Sequence, residues 1–331
     1  MSATPLLQVQ SLSKRFEVSA PWLQRVINRE PRQWVHAVSD VSLQMVRGET
    51  LALVGESGCG KSTLARLLVG LYAPTQGRIA FGGQDLHQVL ASGAQEAQAL
   101  RRRIQMIFQD PYASLNPRWR VHDIVAEPLR VHQPGLSPQD QADQVHALLA
   151  SVGLNPKDAA KYPHQFSGGQ RQRISIARAL AVSPEFLVCD EPTSALDVSV
   201  QAQVLNLMQD LQTQRGLTYL FISHNLAVVR HVSDRVGVMY LGRVVELAPT
   251  QQLFEQPQHP YTRMLLAAIP KMKKGPQTRV PIQGEVPNPL SPPSGCAFHP
   301  RCPQATAVCK EQTPVLRSVQ GIEIACHHTP G

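Results

Sequence analysis

The sequence predicts an α/β fold with a largely parallel sheet, a helical insertion and a small C-terminal appendage, on three observations. An apolar run, Leu51–Val54, passes through a Gly-rich turn into a segment whose Leu64, Leu67, Leu68 and Leu71 recur at helical spacing. Short apolar runs alternate with helical patterns again between Phe186 and Ile222. Strands that alternate with helices imply a sheet with covered faces. From residue 256 onward the chain turns Pro-rich, with eight prolines in 275–303. A chain of 331 residues accommodates one large α/β domain plus an appendage, or two domains.

The elements follow in order. Residues 7–18 alternate in part and read as an edge strand, and 19–35, rich in Arg, Trp and Pro, as an irregular surface excursion. Residues 36–54 supply two strands. Pro74–Gly77 is a turn, Arg78–Phe81 a strand and Gly82-Gly83 a hairpin signal. From about 87 to 181 the pattern is helical, broken by Pro-containing loops. Ser137-Pro138 fits an N-cap followed by proline at the first helical position; Ala142, Val145, Leu148, Leu149 and Val152 form one face, and Gly153 ends it. Then come a strand at Phe186–Cys189, a helix at Val198–Arg215 ended by Gly216, a strand at Thr218–Ile222 and a hairpin through Gly242. The expected organisation is a nucleotide-binding domain over 1–255, with a helical subdomain at about 101–181, and a C-terminal region over 256–331. That last region reads as extended loops, too small to fold without a staple.

Composition excludes little by itself. Hydrophobic content of 43% with 17% charged residues is ordinary for a soluble globular chain. No apolar run approaches the length of a membrane helix, and the N-terminus lacks a signal peptide's basic region and apolar core, so a cytosolic location is expected. The net charge of +8 suits an acidic partner surface, anionic lipid or nucleic acid, but it is dispersed; Arg101-Arg102-Arg103 is its densest cluster. Of six cysteines, Cys59 and Cys189 lie inside motifs and read as packing residues. Cys296, Cys302, Cys309 and Cys326 crowd the last 36 residues, a metal site rather than disulfides in a cytosolic chain.

The chemistry centres on residues 55–63, Gly55-Glu56-Ser57-Gly58-Cys59-Gly60-Lys61-Ser62-Thr63. Residues 55–62 fit G-x-x-x-x-G-K-S, the phosphate-binding loop pattern. Its amides would wrap phosphates at a helix N-terminus, Lys61 would reach the terminal phosphates, and Ser62 would take a place on Mg²⁺. A Gly-rich turn with an exposed lysine is the plainer alternative. The strand before, the helix after and all four fixed positions argue against it. Asp190 and Glu191 end a second buried strand, Asp190 placed to hold Mg²⁺ and Glu191 to polarise an attacking water as general base. Ser167-Gly168-Gly169-Gln170 opens a helix as a second phosphate-shaped nest.

In this order the motifs resemble the ATP-binding subunits of ABC transporters throughout residues 7–250. The resemblance implies an ABC-type P-loop NTPase fold with an antiparallel β edge. Ser167, Gly169 and Gln170 then match the signature loop, which acts on the partner subunit's ATP, although Phe166 stands where leucine is commoner. Gln109 matches the Q-loop, which senses Mg²⁺ and water, Ser194–Asp197 the D-loop, His224 the switch histidine, and Phe16 an adenine-stacking aromatic. Catalysis thus falls to Glu191, His224, Gln109 and Lys61, and Mg²⁺ to Ser62, Gln109 and Asp190. Two such subunits sandwich two ATPs head to tail, and closure with hydrolysis drives transport.

Three further features resemble the dipeptide/oligopeptide importer family, most closely its F-type ATPase subunit. They are Pro111–Arg118 after the Q-loop, where a permease coupling helix docks, His259-Pro-Tyr-Thr262, and the tail C-x5-C-x6-C-x16-C. In that family the cysteines accompany a [4Fe–4S] cluster; four thiolates suit one and equally suit tetrahedral Zn²⁺. The partners implied are a homologous second ATPase, two membrane permeases and a periplasmic peptide-binding protein, with the chain peripheral on the cytoplasmic face of the bacterial inner membrane. Dipeptides or short oligopeptides are the expected cargo, with nickel, glutathione and murein peptides as alternatives. A non-transport ABC ATPase acting on nucleic acid or ribosomes is the rival class. Such proteins carry duplicated ATPase domains or a long coiled-coil insertion, which this chain lacks, so no nucleic acid partner is expected.

Overall fold

The computed structural model describes residues 4–19, 22–28, 31–268 and 284–328. The chain runs through β1 (Leu7–Glu17), α1 (Trp22–Asn28), β2 (Trp34–Met45), β3 (Thr50–Val54), α2 (Lys61–Leu68), β4 (Gln76–Phe81) and β5 (Gln84–Asp85). Helices α3 (Leu86–Ser92) and α4 (Ala94–Arg103) precede β6 (Ile104–Ile107), and α5 (Pro111–Ser114), α6 (Val121–His132), α7 (Pro138–Ser151) and α8 (Gly168–Leu180) follow it. Next are β7 (Phe186–Asp190), α9 (Val198–Arg215), β8 (Thr218–Ile222), α10 (Leu226–Val232), β9 (Arg235–Tyr240) and β10 (Arg243–Pro249). The last elements are α11 (Thr250–Glu255), α12 (Pro260–Ala267), α13 (Ala307–Glu311), β11 (Arg317–Val319) and β12 (Ile322–Ile324). Among the described residues no helix is long and apolar enough to cross a membrane.

Local chemistry accounts for the boundaries. The Ser137 side chain accepts the Asp140 amide, and Pro138 takes the first position of α7, where its missing N–H goes unused. Asp197 caps α9 through the Val200 amide, and Gly216 closes that helix in the left-handed conformation at φ 64°. Both α9 and β8 have the bounds expected from the sequence. Two segments differ from expectation. Residues 19–35 contain α1 rather than irregular chain throughout. Ile104–Ile107, inside the expected helical stretch, forms a strand parallel to β7, with Ile104 opposite Phe186.

The chain divides into two compact units. The first is built around Phe81–Ser223 with Met45–Thr50. Its strands β6, β7 and β8 run parallel, and β7 and β8 are buried at every position. Helices α6, α7 and α8 pack on one another, and the Arg103 guanidinium bonds Glu185 and lies 4.8 Å above the Phe81 ring.

The second unit combines Leu7–Gln44, Leu51–Ala80 and the chain from His224 onward. Strand β1 lies between β2 and β4 in one sheet. In the other, β3 pairs parallel with β9, and β9, β10, β12 and β11 continue antiparallel. The sheet is therefore mixed, and its antiparallel part includes strands from the last 15 residues of the sequence.

Residues 284–298 run as loops and turns, as the prolines imply, and 275–283 lie outside the described residues. The C-terminal region departs from expectation in the metal staple that its cysteines suggested and in the packing that follows. Phe298 and Ile322 are buried with Val54, Val238, Tyr240 and Tyr261 in one apolar cluster. Strand β12 adds to β10 with Ile324 opposite Glu246. Burying a side chain such as Phe or Ile contributes about 1.5–3 kcal/mol. Side-chain packing and strand pairing hold this region, and the structure does not support a metal staple.

Candidate active site

The Gly-rich loop turns between β3 and α2 as the motif requires. Gly60 has φ +105°, and a Cβ there would sit 2.1 Å from the Ala37 carbonyl oxygen. Only glycine tolerates both the backbone and the contact. The loop is tied down by the Gly242 amide on Cys59 O at 2.9 Å. Lys61 is buried, and its Nζ donates to Gly55 O at 2.8 Å and Glu56 O at 3.1 Å. Ser62 and Thr63 are half-buried on the first turn of α2, while Ser57 and Gly58 are exposed. Cys59 is 4% exposed; burial raises its thiol, and Lys61 Nζ lies 3.6 Å from Sγ. Cys189 is fully buried and its thiol is pushed up by burial, so both cysteines pack rather than ligate.

Glu56 is held at every polar group. Its amide donates to Tyr261 Oη at 2.9 Å, and its carboxylate accepts Arg301 Nη1 at 2.7 Å and Nη2 at 3.0 Å. Tyr261 belongs to the His259-Pro-Tyr-Thr262 segment, whose geometry is now explicit. The buried Glu246 carboxylate accepts the Gln258 and His259 amides, each at 2.9 Å, and His259 Nδ1 accepts the Tyr261 amide at 3.1 Å to cap α12. Local sequence gave Tyr261, Arg301, Tyr240 and Glu246 no role. The His-Pro-Tyr-Thr run was the one available signal.

Phe16 is half-buried and meets Tyr72 edge to face, centroids 5.4 Å apart, with Lys14 Nζ 5.1 Å above the Phe16 ring. His224 is exposed just ahead of α10, which Asn225 caps. Lys61, Ser62, Phe16 and His224 all belong to the second unit.

Gln109, Asp190, Glu191 and the Ser167–Gln170 segment belong to the first unit. Asp190, 3% exposed, ends β7. Glu191 follows at φ +48°, a left-handed conformation that a glutamate adopts only under constraint. Its amide donates to Ile222 O at 3.0 Å, which fixes the bend, and Gln109 Nε2 donates to Glu191 Oε2 at 3.1 Å. The structure thus brings together two residues 82 positions apart that the sequence assigns to one task. Burial of Asp190 beside the half-buried Glu191 suits an inner cation ligand and an outer base.

Ser167 caps α8 in a capping box: its Oγ accepts the Gln170 amide, and Gln170 Oε1 accepts the Ser167 amide at 3.0 Å. A Cβ on Gly169 would meet Val200 Cγ1 at 2.2 Å, so α9 requires glycine there. Ser167 and Gln170 remain exposed. After the Q-loop, Asp110 caps the short α5, Tyr112 is 61% exposed, and the Arg171 guanidinium lies 3.9 Å from its ring.

The four C-terminal cysteines gather in the second unit. The Cys296 amide donates to Cys309 O at 2.8 Å. Burial raises the Cys296 thiol, and Cys309, Cys326 and Cys302 raise it further. Among the described residues, no three His, Cys, Asp or Glu side chains converge tightly enough to hold a metal ion.

Comparison with known proteins accords with this geometry. Residues 38–194 match the ABC transporter family, and residues 245–309 match the oligopeptide/dipeptide transporter C-terminal region. The chain is 51% identical to the di/tripeptide transport ATP-binding protein DppF of Pseudomonas aeruginosa, over 98% of this chain and 97% of that one. It is 47% identical to the oligopeptide transport ATP-binding protein OppF of Escherichia coli, covering 97% and 95%. Among solved structures, the ATP-binding cassette MJ0796 in a post-hydrolysis state bound to ADP and Pi aligns at TM-score 0.63 and 26% identity, over 74% of this chain and 98% of that one. This chain belongs to the ATP-binding proteins of the oligopeptide/dipeptide ABC transporters.

Proposed function

We propose that this chain hydrolyses ATP to energise the import of dipeptides or short oligopeptides through an ABC transporter of the inner membrane. The observation that carries the reading is the Gln109–Glu191 hydrogen bond at a strained strand end, in a chain that also forms a complete phosphate loop. Lys61 and the loop amides beyond Glu56 bind the ATP phosphates. Ser62, Asp190 and Gln109 would hold Mg²⁺, and Phe16 would stack on adenine. Glu191 orients the attacking water, which Gln109 helps to position, and His224 contacts the γ-phosphate. Ser167, Gly169 and Gln170 complete the ATP site of a second, homologous ATPase, whose own signature loop completes this one. The exposed Tyr112 region docks on a permease, so the chain sits peripherally on the cytoplasmic face and is served by a periplasmic peptide-binding protein.

Uptake of a labelled dipeptide by cells lacking this chain tests the reading. Wild-type chain restores uptake and Lys61→Ala does not. Restored uptake of nickel, glutathione or murein peptide instead of dipeptide would reassign the cargo and leave the ATPase in place.

For Cys296, Cys302, Cys309 and Cys326 our reading is a [4Fe–4S] cluster. It is supported by the number of thiols and by the C-x5-C-x6-C-x16-C tail that places all four in one unit. No catalytic step is assigned to the cluster. Anaerobically purified protein should contain about four irons per chain, lost in Cys302→Ser. Zinc in their place, or no metal, contradicts the reading.

A further inference from the structure

The phosphate loop carries a carboxylate. Glu56 follows the first glycine of the motif, and its carbonyl lies 3.1 Å from the Lys61 ammonium. A loop that must take up a polyphosphate gains nothing from a negative charge there, because like charges at short range repel. The structure answers that charge from 245 residues away in the sequence. Arg301 grips the Glu56 carboxylate with both terminal nitrogens, the bidentate arrangement that is strongest for this pair. The Arg301 side chain is only 2% exposed, against 20% for Glu56. Its guanidinium lies 5.7 Å from the Tyr240 ring and 5.9 Å from the Phe298 ring, and Nη1 also reaches Tyr240 Oη at 3.3 Å. The arginine is therefore built into the apolar cluster, with the loop glutamate as its bidentate carboxylate partner. Tyr261 secures the amide of the same residue.

We propose that Arg301 is a positioning residue for nucleotide binding. The C-terminal region supplies the phosphate loop with the cation that neutralises Glu56 and turns its carboxylate away from the phosphates. The proposal rests on residues 55–62 being the phosphate loop. It adds a function for the C-terminal region: nucleotide affinity depends on that region being docked, so whatever loosens it lowers ATP affinity without touching the groups that carry out hydrolysis.

The test measures Mg-ATP dissociation constants of the purified full-length chain with a fluorescent ATP analogue, alongside thermal melting without nucleotide. Lys61→Ala serves as the reference for loss of the loop. Arg301→Met should raise the dissociation constant about tenfold, the effect of one uncompensated charge near the phosphates. The double variant Arg301→Met/Glu56→Gln should return it to within about threefold of wild type, and Arg301→Lys should fall between. In the assembled transporter, Arg301→Met should raise KM for ATP with kcat nearly unchanged. Glu56→Gln alone leaves a buried cation facing the nucleotide and should bind ATP more tightly than wild type, a result that stands even where Arg301→Met fails to fold. If Arg301→Met binds as wild type while Lys61→Ala loses binding, the proposal falls and the loop assignment survives. If the double variant remains as weak as Arg301→Met, the contact is merely structural and the proposal also falls. Undiminished binding by Lys61→Ala would overturn the loop assignment and the proposal with it.

Discussion

Replacing Phe298 with alanine should undock the C-terminal region locally while the rest of the chain keeps its structure. Phe298 is 1% exposed, with ring centroids 5.3 Å from Tyr240, 5.4 Å from Tyr261 and 5.8 Å from His259. Loss of its transfer free energy, the cavity left behind and the aromatic pairings together cost about 3–5 kcal/mol, the usual range for a buried Phe→Ala change. The affected unit is local, so amide exchange reads it better than global unfolding. The amides to follow are Cys296 on Cys309 O and Ala325 on Val245 O, both 2.8–2.9 Å bonds that tie this region to itself and to β10. At 1.36 kcal/mol per factor of ten, their exchange should accelerate roughly 10²–10⁴-fold. Val315→Ala, at a position 81% exposed, should leave them unchanged. Acceleration below tenfold in Phe298→Ala would refute the claim that packing holds this region.

Other outcomes follow from the same geometry. Gly60→Ala puts a methyl 2.1 Å from a carbonyl oxygen, whereas Gly58→Ala, at φ +81°, meets open space. Thermal melts should therefore show Gly58→Ala costing about 1–2 kcal/mol for its backbone alone, and Gly60→Ala distinctly more. Burial, with the Arg263 charge second, holds buried His259 down to about pKa 3, below its ordinary 6.5. Since the unfolded chain takes up that proton first, stability should fall as pH drops below 6.5, by about 2 kcal/mol at pH 5. In His259→Asn, which keeps a capping acceptor, urea titrations between those pH values should lose that part of the slope.

Much of the fold could be read locally. The bounds of α9 and β8 follow from an apolar run, a capping aspartate and a closing glycine, all short-range signals. Strand β6 could not be read this way: four residues, Ile-Gln-Met-Ile, carry too little periodicity to stand apart from the Arg-rich helix before them. The docking of the C-terminal region was equally hidden. Its prolines describe the local backbone, but what decides its fate is Phe298 meeting Tyr240 and Arg301 meeting Glu56, pairs 58 and 245 residues apart. The candidate site divides the same way. Lys61, Asp190 and Glu191 announce themselves by motif, whereas the Tyr261 and Arg301 supports of the loop exist only in three dimensions.

The most direct test of the central claim is ATP hydrolysis by this chain assembled with its partner ATPase and permeases in liposomes, with and without peptide-loaded binding protein. Glu191→Gln should keep ATP binding and the fold, yet lower hydrolysis by roughly 10²–10³-fold, within the range for removing a general base. Dipeptide-loaded binding protein should stimulate the wild-type assembly and leave the variant silent. Undiminished, peptide-stimulated hydrolysis in Glu191→Gln would remove the assigned base. Hydrolysis that no loaded binding protein stimulates would contradict a peptide-import ATPase.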